Sequence, residues 1–209
     1  MNYYIATVIY NYLENAERKR ALSERGFALA QELGDVRLMS NFLRSLGNQF
    51  MVAGDVTTAH ELHVRAFEVQ ERAGIQAMLP WLHVVRAFSS WKLGFFDEAQ
   101  RHTSYALAAS VERSDLYTAV HALLFVAQVI AVRGELCRAA EIGAAARAVS
   151  RWERSLTGRK VFVEPLMALT RSLPPVEAEA AKRRGQTRDA FDVADELLAE
   201  IERPSWKWE

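Results

Sequence analysis

Residues 47–66 read GNQFMVAGDVTTAHELHVRA, and this stretch decides the fold. Gly54 ends one apolar helical segment, because glycine takes the left-handed conformation that closes a helix. Asp55 opens the next, since a carboxylate accepts from the free amides at a helix start. Gly54 recurs as Gly94 and Gly134, with 94 − 54 = 40 and 134 − 94 = 40. The same step links Ala59, Ala99 and Ala139, then Ala66, Ala106 and Ala146, and it aligns the small residues Gly47, Ala87 and Ala127. Asp97 and Glu135 stand near the second-helix starts of the later units, as Asp55 does in the first. Four ladders in one register define a repeat of about 40 residues, each a helical hairpin whose small residues let its two helices approach closely.

The spacing predicts hairpins over 38–73, 80–113 and 118–152, and an earlier one over 3–33 in which Ala21 and Ala28 stand seven apart. The expected fold is therefore all-α: an α-solenoid of antiparallel hairpins over 1–157. After Trp152 the step disappears. Gly158, Pro165, the Pro174-Pro175 pair and Gly185 then punctuate shorter helices near 159–172, 175–184 and 187–202. Residues 158–209 read as a helical extension that caps the last repeat. Pro175 suits a first helical turn, followed by Glu177 and Glu179 at the positive helix end.

Order and spacing of Gly47, Gly54, Ala59 and Ala66 resemble the tetratricopeptide repeat, which has a small residue in its first helix, glycine at its end and two alanines in its second. The step here is longer than the usual unit of about 34 residues, and the family's early tryptophan and late proline are absent. The resemblance implies a right-handed arc with a concave groove lined by the first helices. The alanine-rich run from Arg138, the stretch from Leu173 to Glu177 and the run from Ala190 to Ala194 are similar to the C-terminal end of large bacterial ATP-dependent regulators. In those proteins a nucleotide-binding domain precedes tetratricopeptide-like repeats, often with an output domain of the LuxR or AfsR type. This likeness implies the sensor or regulatory arm of a signalling ATPase or transcriptional regulator.

Composition narrows the function classes. Twenty-six basic and twenty-six acidic residues cancel, so no global field gathers nucleic acid or an anionic membrane. The apolar run 122–132, interrupted by Gln128, is too short to span a bilayer. A lone Cys137 excludes an internal disulfide, suits a reducing cytoplasm and reads as a small core residue. Residues 1–13 are apolar but lack a basic start and a cleavage site, which argues against a signal peptide. Tyr4, Val8, Ile9 and Tyr12 leave apolar side chains around that segment, so it is expected to pair in a homodimer or to lie under a preceding repeat.

No phosphate-cradling glycine loop or nucleophile elbow occurs, and no cofactor or enzymatic activity is expected. His60 and His63 share a helix face but have no third ligand in sight, so no metal is expected. The basic clusters at Arg151, Arg154, Arg159 and Lys160, and at Lys182 to Arg184, are interspersed with glutamates and read as solvated faces. The groove is the expected site. Register with the tetratricopeptide pattern turns Asn41, Arg44 and Asn48 inward, then Trp81, Val84, Phe88 and Trp91, then His121, Leu124 and Gln128. Aromatic anchors with a few polar groups suit a protein or peptide ligand, with a small effector enclosed near Trp81 and Phe88 as the alternative. Arg44 and Asn48 resemble half of a carboxylate clamp, but Val85 and Phe125 stand where its other half is needed, so an apolar or amphipathic segment is favoured.

Overall fold

The computed structural model describes residues 16–74, 79–149 and 156–208, and the N-terminal segment expected to pair lies outside them. Among the described residues there are ten α-helices and no strand. Seven form the repeat region: α1 (Ala16–Glu32), α2 (Val36–Ala53), α3 (Val56–Arg72), α4 (Leu79–Lys92), α5 (Phe96–Glu112), α6 (Leu116–Val132) and α7 (Leu136–Ala148). Each packs on its sequence neighbours, the arrangement of a helical repeat.

The turns show why the hairpins form. Gly54 has φ +86°, its N–H donates to the Met51 carbonyl, and the Asp55 N–H donates to Phe50. This pair of bonds satisfies carbonyls that the helix end would leave bare. Asp55 then accepts from the Thr58 amide and starts α3. The same closure recurs at Gly34, Gly94, Ser114 and Gly134, each also left-handed. With Gly74 included, these residues fall every 20 positions, so the 40-residue repeat is two helices of equal stride. Asp35 and Asp115 cap α2 and α6 as Asp55 caps α3, whereas Phe95 begins α5 without a side-chain cap.

The small-residue ladders lie at helix contacts. All six alanines of the two second-helix rungs are fully buried. Gly47 lies under the His63 ring, where a Cβ would stand 2.5 Å from Cδ2 and Nε2. One step earlier the same rungs are Lys19 and Gly26, with 59 − 40 = 19 and 66 − 40 = 26, and both are buried.

Beyond the repeats, a wide π-turn segment (Gly158–Val163) runs into α8 (Glu164–Leu169), followed by α9 (Pro175–Gln186) and α10 (Ala190–Ile201). Their bounds match the three expected stretches closely, and they pack on the last repeat, α6 and α7, and beyond it on α5. Helix α9 lies on α7, so close at Gly185 that a Cβ there would meet the Glu141 carbonyl at 2.1 Å. Helix α10 reaches back across α6 to α5, where Gln100 donates to the Ile201 carbonyl at 2.8 Å, and it also touches α7, where Arg138 pairs with Glu200 at 2.5 Å. The result encloses α6, where every residue from Thr118 to Ala131 is buried between α4, α5, α7, α8 and α10. An apolar surface on all sides requires such a position, because an open solenoid would leave one face wet.

Cys137 is not a core residue. It is half-exposed, and its thiol donates to Glu177 on α9 at 3.3 Å, which raises its pKa.

Candidate functional site

The ten residues expected to line the groove stand on the first helices α2, α4 and α6. Eight of them, Asn41, Asn48, Trp81, Val84, Phe88, His121, Leu124 and Gln128, are buried, and Arg44 and Trp91 are partly so. The expectation of an open groove is corrected here. Two later segments of the same chain cover its α4–α6 portion, and part of the α2 group is engaged internally.

The first covering segment is the π-turn. Gln128 Nε2 donates to the carbonyls of Val161 at 3.0 Å and Phe162 at 3.1 Å. Val161 stands four residues before Pro165, which has no N–H to close the ordinary helical bond, so the wide turn and the Gln128 amide are two sides of one accommodation. The Phe162 ring, fully buried, packs edge-on against Phe88, His121 and Trp81, with centroids 5.3, 5.5 and 6.4 Å away. His121 Nδ1–H donates to the Tyr117 carbonyl at 2.8 Å, which leaves Nε2 as a buried acceptor without a partner. Burial holds that imidazole neutral, with its pKa lowered to about 4.

The second is the segment after α10. Trp91 Nε1 donates to the Trp208 carbonyl at 2.9 Å, and the Trp208 ring stacks on Phe125 at 6.1 Å. Arg133 lies 4.7 Å over the Trp206 ring, and Lys92 lies 4.5 Å over Trp91.

On α2, Asn48 accepts from His63 Nε2–H at 3.1 Å, so it positions a core histidine. His60 turns instead toward Ser89, with Nδ1 2.9 Å from the hydroxyl. The two histidines share no ligand, and among the described residues no three His, Cys, Asp or Glu side chains come together as a metal site. Lys160 and Arg159 pair with Glu164, Lys182 and Arg183 with Glu179, and Arg184 with Glu141. Arg151, Trp152 and Arg154 lie outside the described residues.

One open site was not expected. Phe67, His83, Arg86, Arg101, His102 and Tyr105 line a cavity of about 560 Å³ between α3, α4 and α5. His83 and His102 approach to 2.6 Å between their Nδ1 atoms, a distance that holds one proton between two nitrogens. Burial first, then the neighbouring imidazole and Arg86, lower the His83 pKa to about 3. Burial and Arg86 lower that of His102 to about 4. Arg86 pairs with Glu98, and Tyr105 stacks on His83 at 3.9 Å. The signal was there in the sequence only as a hairpin folded about Gly94, which brings positions 83 and 102 alongside each other.

Compared with protein-family models, with characterised proteins and with solved structures, the chain matches none. Fold and site define an all-α helical-repeat protein whose first-helix face holds two stretches of its own polypeptide.

Proposed function

We propose that the chain is a non-catalytic protein-interaction module of tetratricopeptide-like type that binds a polypeptide segment on the face of α2, α4 and α6, in exchange for the stretches of its own chain that cover that face. Its place is the regulatory arm of a bacterial transcriptional regulator or signalling ATPase, in the cytoplasm. The observation that carries this reading is the way the face treats its own chain. Gln128 and Trp91 donate to main-chain carbonyls, which any polypeptide offers, while Trp81, Phe88 and His121 surround one aromatic side chain. Backbone bonds supply affinity and a side-chain pocket supplies selectivity, the division of labour in peptide recognition. Peptides selected by display against the chain should shift the indole N–H resonances of Trp81 and Trp91 and lose affinity on Phe88→Ala. Selected peptides that leave both resonances unmoved would end the reading.

The open cavity beside His83 and His102 favours a second reading, a sensor for a small effector. Such a ligand would move the Tyr105 and His102 resonances and leave Trp91 unmoved.

A further inference from the structure

We propose that the end of this face formed by Trp91, Phe125 and Arg133 is a docking site for an extended segment of the pattern Phe-x-Phe with an acidic neighbour, and that Trp206 and Trp208 are its intramolecular occupant. The proposal rests on the reading that the face binds polypeptide, and it adds the chemistry of the partner.

The tail is seated as an extended ligand. Trp206 and Trp208 both turn toward the body while Lys207 between them is exposed, the two-residue alternation of an extended chain. Arg133 covers the first ring, Phe125 stacks on the second, and Trp91 holds the Trp208 carbonyl. Helix α10 has ended at Ile201, and residues 202–205 between it and the tail are exposed, so the tail is joined to the body by an exposed connection.

Two features show that the tail fits this site imperfectly. The indole N–H groups of Trp206 and Trp208 are buried without an acceptor. A donor in that position has lost its water and gained nothing, so release of the tail restores two hydrogen bonds. The tail also brings Lys207 between its two rings, a further cation at an end of the face where Lys92 already lies over Trp91 and Arg133 over Trp206. A ring without an N–H fills the same floor without stranding a donor, and a carboxylate beside it meets Lys92. Phenylalanine in both positions with a flanking glutamate satisfies both conditions, and the Trp91 donor still finds a main-chain carbonyl.

The test uses the full chain and a fluorescein-labelled peptide of sequence Pro-Ser-Phe-Glu-Phe-Glu, read by anisotropy. The tail must leave before the peptide binds, so the Trp206→Ala/Trp208→Ala chain should bind at least about tenfold more tightly than the unmodified chain. Trp91→Phe should weaken binding again by removing the donor. Trp206→Ala alone, at a half-exposed position, gives the same direction with a smaller gain and serves if the double variant loses its helical circular dichroism. Equal affinity for the unmodified and tail-altered chains overturns the proposal, as does equal affinity for a peptide with both phenylalanines replaced by serine. A concentration-dependent dimer of the unmodified chain that the peptide does not dissociate would instead assign the site to the tail of a second copy, and would also overturn it. If display-selected peptides still shift Trp81 and Trp91 while the Phe-x-Phe peptide fails, this proposal fails and the general reading stands. If both fail, the reading itself falls.

Discussion

Gln128 on α6 donates its side-chain amide to the carbonyl of Val161 at 3.0 Å, the residue four positions ahead of Pro165. The enclosed part of α6 thus supplies the hydrogen bond that a proline removes from another helix. Gln128→Leu strands a buried carbonyl and should cost roughly 1–3 kcal/mol. Pro165→Ala returns an N–H to that turn, so the cost of Gln128→Leu should shrink in the Pro165→Ala background. Urea unfolding of the four chains measures the coupling. Additive costs would mean that another donor serves Val161.

Ser114 closes α5 at φ +50° in the position where glycine closes four other helices by the same bonds. A side chain in the left-handed region costs about 1–2 kcal/mol, partly offset by the greater freedom that glycine gives the unfolded chain. Ser114→Gly should therefore stabilise by up to about 1 kcal/mol and raise the melting temperature by roughly 2–4 °C. A lower melting temperature would show that the serine hydroxyl has a role that outweighs the strain.

The same serine explains what was legible in the sequence. Gly54, Gly94 and Gly134 announce a 40-residue step, while the underlying 20-residue stride is broken to the eye at position 114. The hairpins followed from local chemistry: a glycine, an aspartate and alanines at helical spacing. Register also placed Trp81, Phe88, His121 and Gln128 together on one face. What covers that face was not legible, because Gln128 and Val161 are 33 residues apart and no periodicity links them. The apolar run 122–132 held a hint, since a helix without a polar side must be enclosed.

Lys19 occupies the rung that Ala59, Ala99 and Ala139 fill in later repeats, and it is 5 % exposed. Burial first, then Arg44, lower its pKa from 10.5 to about 8. The folded value lies below the unfolded one, so the unfolded chain binds the proton more tightly and the charged lysine opposes folding at pH 7. That penalty is relieved as pH rises from about 8 toward 10.5. Lys19→Met should stabilise at pH 7 by up to about 3 kcal/mol and flatten the gain otherwise seen between pH 8 and 10. Unchanged stability at pH 7 would show that the ammonium is compensated.

Acid should unfold this protein through its buried histidines. Burial lowers the pKa of His63 from 6.5 to about 3 and that of His121 from 6.5 to about 4, and His83 and His102 move the same way. Each folded value lies below the unfolded one, so their neutral forms support the fold fully above pH 6.5. That support is lost as the pH falls toward the folded values, because the unfolded chain takes up protons first. The slope is about 1.4 kcal/mol per pH unit for each histidine, or about 2 kcal/mol each by pH 5. Glu98, whose pKa is lowered by Arg86 against the opposing effect of burial, gives way only in more acid solution. Urea unfolding at pH 7 and pH 5 should therefore differ by several kcal/mol. His121→Phe keeps a ring against Trp81 and Phe162 and removes the titrating group, so its loss between the two pH values should be smaller by about 2 kcal/mol. Equal losses in the two chains would mean that His121 reaches water in the folded state, and with it that Phe162 does not seal the face of α4 and α6.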